Sequence, residues 1–164
     1  VLEGMIEGIL GAGLAVLTVW IASQNLVSVG EAIPLLTEGT EAERNSLLGE
    51  ALAAADELDA SVANMRFVKP LDEELLLRLA NSHRAFVTLE DNAVTGGAGS
   101  GVNECLARHG VALPILNLGI PDRFIEHGSR NECLAAAGLD AESVEAAVRA
   151  WLGETIRFRA GGTA

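Results

Sequence analysis

Hydrophobic positions along the chain follow two alternating patterns: short apolar runs of strand length, and stretches in which apolar residues recur every three or four positions. Leu14-Ala15-Val16-Leu17-Thr18-Val19-Trp20 is rich in branched side chains and predicts a buried strand. Between Leu47 and Leu58, residues Leu47, Leu48, Ala51, Leu52, Ala55 and Leu58 fall at helical spacing. A second strand is predicted over Ser61–Phe67, ended by Pro70, which has no N–H to give to a ladder. Asp72 reads as an N-cap, with Glu73 and Glu74 in the positively polarised first turn of a helix running to about Asn81.

Arg84–Leu89 and Pro114–Leu118 predict two further strands. Between them Gly101–His109 reads as a helix, with Arg108 and His109 at its negative end and Gly110 as its stop. His83 takes the same C-terminal place in the preceding helix, Cys133 falls in another helical stretch, and Asp140 caps a last helix through Val144, Ala147, Val148 and Trp151. Alternation of this kind predicts a three-layer α/β fold, a mostly parallel sheet with right-handed crossovers and helices on both faces. Glu154–Ala164, with Arg157, Arg159 and Gly161-Gly162, lacks an apolar period and reads as a frayed tail. The expected organisation is an N-terminal segment over residues 1–46 holding one core strand, an α/β domain over 47–153, and a tail over 154–164.

With 164 residues, 49% of them hydrophobic and 21% charged, the chain suits one globular domain with a real core. A net charge of −12 disfavours nucleic acid, whose phosphates need a basic footprint, and equally an anionic membrane surface. The uncharged stretch from Gly8 to Gly30 is diluted by Ser23, Gln24, Asn25 and Ser28 and preceded by Glu3 and Glu7, which favours a buried strand over a membrane segment or signal peptide. Cys105 and Cys133 form no CxxC pair and read as buried thiols of a reducing cytoplasm.

The glycine-rich loop is the first place to look for chemistry, because it follows a strand and opens a helix, where free amides favour an anion. Yet Gly97-Ala98-Gly99-Ser100-Gly101-Val102 puts valine where a dinucleotide fingerprint needs its last glycine, and Glu90 and Asp91 just upstream would repel a phosphate. The other reading is a tight turn that lets a helix or a neighbouring domain approach the backbone. Ser100 fails as a nucleophile elbow, since the flanking positions are Ala98 and Val102. His83, His109 and His127 give no His–His pair at metal spacing. His127 lies in a polar loop after a strand, where α/β sheets gather ligands or contacts. Arg66 and Lys69 flank Phe67 and could hold an acidic ligand or a neighbouring carboxylate, or pair with Asp72 or Glu73.

Four motifs occur in order: Asn64-Met65-Arg66-Phe67-Val68-Lys69-Pro70-Leu71-Asp72, Val87-Thr88-Leu89-Glu90-Asp91-Asn92, Gly96-Gly97-Ala98-Gly99-Ser100-Gly101, and Leu116-Asn117-Leu118-Gly119-Ile120-Pro121-Asp122 with its continuation to Gly128. Together they resemble the C-terminal, transketolase-like domain of 1-deoxy-D-xylulose-5-phosphate synthase, a thiamine-diphosphate-dependent family, over about Leu47–Leu152. The resemblance implies a parent transferase that joins pyruvate to glyceraldehyde 3-phosphate with loss of carbon dioxide, feeding isoprenoid, thiamine and pyridoxal synthesis. It also implies that thiamine diphosphate and magnesium sit in the parent's other domains. The family's Gly-Asp-Gly metal motif with its downstream Asn is absent here, so no catalytic, cofactor-binding or metal residue is carried over. The implied role is assembly, in a homodimer and against the parent's other domains, by a chain inactive alone. Glu90, Asn92, Gly96, Gly97 and Gly99 match the family's loop and become the candidate interface. The chain departs from the family in Glu90-Asp91-Asn92, where Glu-Glu-Asn is usual, and in lacking an Ile-Gly-Lys-Gly entry; Ser23 to about Asn45 has no evident counterpart. The alternative is a stand-alone module that binds a small anionic ligand at the glycine loop.

Overall fold

The computed structural model describes residues 14–20, 47–65 and 67–161, with side chains described over 47–65 and 67–153. In chain order these form β1 (Leu14–Trp20), α1 (Leu47–Leu58), β2 (Ala60–Asn64), α2 (Glu73–Ser82), β3 (Phe86–Ala93), α3 (Ala98–Arg108), β4 (Ile115–Ile120), α4 (Arg130–Ala137) and α5 (Ala141–Gly161). The strands make one sheet in the order β2-β1-β3-β4, parallel at every pairing. β1 therefore lies between two neighbours, the environment its continuous apolar run calls for.

Successive side chains of a strand point to opposite faces, and β3 shows how this sorts the core. Val87 and Leu89 join Leu47, Leu48 and Ala51 of α1, Leu134 of α4, and Val144 and Val148 of α5. Phe86 joins Ala63 of β2, Leu76 and Leu79 of α2, and Val102, Cys105 and Leu106 of α3. Helices α1, α4 and α5 thus cover one face and α2 and α3 the other, which is the three-layer α/β architecture the alternation predicts.

Helix ends follow the chemistry of their caps. The Asp72 carboxylate accepts the Leu75 N–H at 2.9 Å, and His83 closes α2 by donating its backbone N–H to Leu79. Asp140 accepts the Ser143 N–H at 2.7 Å at the start of α5. α3 ends at His109, and Gly110 follows with φ +69°, the left-handed conformation glycine adopts without a Cβ penalty.

Several boundaries differ from the sequence expectation. β2 ends at Asn64, and the Phe67 and Val68 that follow are half exposed. β3 continues past Leu89 to Ala93, and α3 begins at Ala98 rather than Gly101. Glu90 lies at the junction: its backbone continues the sheet opposite Trp20, and its buried carboxylate caps the start of α3. The helix around Cys133 runs Arg130–Ala137, opened by a reciprocal capping box between Ser129 and Glu132 and closed by Gly138 at φ +75°. Of the stretch 154–164 read from the sequence as a frayed tail, residues 154–161 continue α5 to Gly161, and residues 162–164 lie outside the described residues. Glu, Arg and Ala are good helix formers, and no proline or glycine interrupts residues 154–160. No helix among the described residues is long and apolar enough to cross a membrane.

Candidate functional site

The site is built on β3. Thr88 and Glu90 follow Phe86 onto the face covered by α3, and both are buried, Glu90 at 1% exposure. Glu90 Oε2 accepts the Ala98 N–H at 2.7 Å and Oε1 accepts the Gly99 N–H at 3.0 Å. These amides belong to the first turn of α3, where helix geometry leaves N–H groups without partners. Gly97 is the N-cap residue and contributes no side-chain bond, so a carboxylate from the neighbouring strand replaces the usual cap. Its negative charge also faces the positive end of the helix.

Such an approach leaves no room for side chains on the turn. A Cβ on Gly97 would stand 2.1 Å from Glu90 Oε2, and one on Gly99 would stand 2.5 Å from Thr88 Oγ1 and 2.9 Å from Asn117 Oδ1. β3 and β4 pair Thr88 with Asn117, and the Thr88 hydroxyl donates to Asn117 Oδ1 at 2.8 Å beneath the turn. Past Leu89 the register slips, from Leu89 opposite Leu118 to Ala93 opposite Ile120. The extra β3 residues form a bulge over Glu90–Asn92, which aims Glu90 at the helix. Ser100 closes the turn, its hydroxyl accepting the Gly96 N–H at 3.1 Å and donating to the Val94 carbonyl at 3.4 Å.

The five candidate interface residues therefore divide. Glu90, Gly97 and Gly99 are engaged inside the domain, whereas Asn92 and Gly96 are exposed at the carboxyl end of β3. Lys69 is exposed in the loop after β2, and His127 is exposed in the loop after β4. β2 and β4 are opposite edges of the described sheet, so the fold sets these two residues apart. Arg66 lies outside the described residues. Glu73, one of the acids offered as a partner for Arg66 and Lys69, pairs with His109 at 2.9 Å and Arg108 at 2.6 Å. Their hydrogen bonds, that of His109 foremost, hold its carboxyl below the ordinary 4.5. Sequence reasoning missed Thr88 and Asn117, which only the strand register brings together, and Ser100, whose contacts to Gly96 and Val94 are local to the turn.

Residues 24–144 match the family described as transketolase, C-terminal domain. The chain belongs to this family. The match begins within Ser23–Asn45, so that stretch, read from the sequence as lacking a counterpart, lies largely inside the family's span. The chain is 57% identical over 125 residues to the 1-deoxy-D-xylulose-5-phosphate synthase of Thioalkalivibrio sulfidiphilus, covering 76% of this chain and 19% of that protein. The synthases of Klebsiella pneumoniae and Escherichia coli are 54% and 50% identical over 123 residues, again across 75% of this chain and 19% of theirs. The chain thus spans about a fifth (19%) of the length of the curated relatives it matches. A solved structure described as a split gene transketolase, inactive beta4 tetramer, superposes with a TM-score of 0.61 at 30% identity, over 84% of this chain and 39% of that one.

For a transketolase C-terminal domain, the glycine turn is a test of cofactor fit. A diphosphate seated on the first amides of α3 would meet the Glu90 carboxylate already bonded to Ala98 and Gly99. The described residues there do not fit thiamine diphosphate, and a small anionic ligand meets the same repulsion.

Proposed function

We propose that the chain is the C-terminal domain of a 1-deoxy-D-xylulose-5-phosphate synthase and that its work is assembly. In this reading it braces a homodimer and the parent's other domains, and it is inactive alone. The parent's transfer of a two-carbon unit from pyruvate to glyceraldehyde 3-phosphate, with release of carbon dioxide, takes place in those other domains with thiamine diphosphate and magnesium, in the cytoplasm. The observation that carries the reading is 57% identity to a synthase of which the match covers 19%. The site supports it: the Glu90 lock consumes the α3 amides that a ligand would need and holds Asn92 and Gly96 outward. Phe124, in the loop after β4, is fully exposed, as a surface made to meet another domain can be.

The test is a chimera in which this chain replaces the C-terminal domain of the Escherichia coli synthase. Retained product formation and an unchanged sedimentation profile are expected, together with no product from the 164-residue chain alone. A chimera that folds but neither assembles nor turns over would overturn the proposal.

A further inference from the structure

At the end of the α2/α3 layer away from the glycine turn, three side chains of different chemistry converge. Glu73 is the first residue of α2, while Cys105 and His109 lie one helical turn apart at the end of α3. One carboxylate oxygen, the Cys105 sulfur and a ring nitrogen of His109 all lie within 4.8 Å of one another. Arg108 holds Glu73 Oε1 at 2.6 Å, which leaves Oε2 facing His109 Nε2 at 2.9 Å. Cys105 is fully buried at the floor, and the other two side chains reach the surface.

We propose that Glu73, Cys105 and His109 bind a borderline-soft divalent cation of the zinc type, with three protein ligands and a water in the fourth position. Zinc bond lengths put tetrahedral ligand atoms about 3.3–3.6 Å apart, so the 2.9 Å gap between Glu73 and His109 opens by tenths of an ångström, and every pair already lies within 4.8 Å. Thiolate with imidazole selects zinc or cobalt over magnesium or calcium, which prefer oxygen alone. On binding, the thiol releases its proton to solvent and the sulfur–metal bond forms; no electron changes hands. Arg108 stays on Glu73 Oε1 and orients the carboxylate, as outer-shell partners of metal ligands do. The ion would clasp the start of α2 to the end of α3 and stabilise the fold by mass action.

The test titrates the reduced 164-residue chain with Co²⁺ and follows the sulfur-to-cobalt charge-transfer band, then measures Zn²⁺ affinity by competition with a chromophoric chelator. The band should appear, survive Cys133→Ser and vanish in Cys105→Ser. Loss of outer-shell partners alone costs about 10–100-fold in affinity, so His109→Ala and Glu73→Gln should each weaken Zn²⁺ by at least about tenfold. Both are surface changes, and circular dichroism verifies that each variant stays folded. No thiolate band, a band lost in Cys133→Ser, or undiminished Zn²⁺ affinity in the two folded surface variants would overturn the site.

Discussion

Glu90 and Gly97 approach so closely that no methyl group fits between them: a Cβ on Gly97 would stand 2.1 Å from the Glu90 carboxylate. Gly97→Ala must push Glu90 off the α3 amides or shift the turn. A destabilisation of about 1–3 kcal/mol is expected, the usual cost of overpacking. Gly101 lies in the same helix with nothing within 4 Å of its would-be Cβ. Gly101→Ala should therefore stabilise by about 0.5–1 kcal/mol, through lower backbone entropy in the unfolded chain. Urea unfolding of the two variants reads opposite signs from one chemical change; equal shifts would contradict the Glu90 contact.

Glu90→Gln tests the carboxylate itself. A carboxamide offers one acceptor oxygen where Ala98 and Gly99 need two, and it turns an NH₂ toward a buried donor. A loss of about 1.5–3 kcal/mol is expected, since the hydrogen bonds forfeited are charge-assisted. Asp91→Asn, one position along and exposed, should stay within about 0.5 kcal/mol of the parent. The paired unfolding midpoints separate a specific cap from general acidity in this segment.

Much of this was legible in the chain. Leu14–Trp20 and Leu47–Leu58 carry their periods openly, and the structure places β1 and α1 at those bounds. What local pattern could not show depends on partners distant in sequence. Glu90-Asp91-Asn92 looks like loop because polar residues rarely continue a buried strand, and only the amides of Ala98 and Gly99 explain why Glu90 can. The same bonds start α3 among glycines that helix propensity would have excluded. Ser129 and Glu132 stand at capping-box spacing ahead of Gly138, so the bounds of α4 were readable from local signals. Glu73 meeting Cys105 and His109 was not, because it requires two helices to end at one place.

Two exposed carboxyls set a local acid response. The Glu73 carboxyl is held below 4.5 by hydrogen bonds from His109 and then Arg108, and that of Glu132 by the Ser129 hydroxyl and then its backbone N–H. A depressed folded value means the stabilisation is complete above 4.5, the ordinary value, and is lost as pH falls through the lower folded values. Thermal melts stepped down through that window should show the parent losing stability more steeply than Glu73→Gln/Glu132→Gln, which has no charge there to lose. Parallel melting curves would mean these contacts contribute nothing to the acid response.

Assembly and folding should separate at Phe124. Its side chain is fully exposed, so Phe124→Ser leaves the unfolding free energy of the chain within about 0.5 kcal/mol. In the synthase chimera the same change removes an aromatic anchor from the proposed interdomain surface, and anchors of that kind cost about 2 kcal/mol or more when truncated. That corresponds to at least about a tenfold weaker association, since about 1.4 kcal/mol is a factor of ten. Asn92→Ala, on the exposed rim of the β3 bulge, should produce a smaller loss in the same direction. Sedimentation of the chimera across a dilution series reads both effects. Unchanged association in the Phe124→Ser/Asn92→Ala double variant would place the assembly surface elsewhere on the domain, away from the carboxyl ends of the strands.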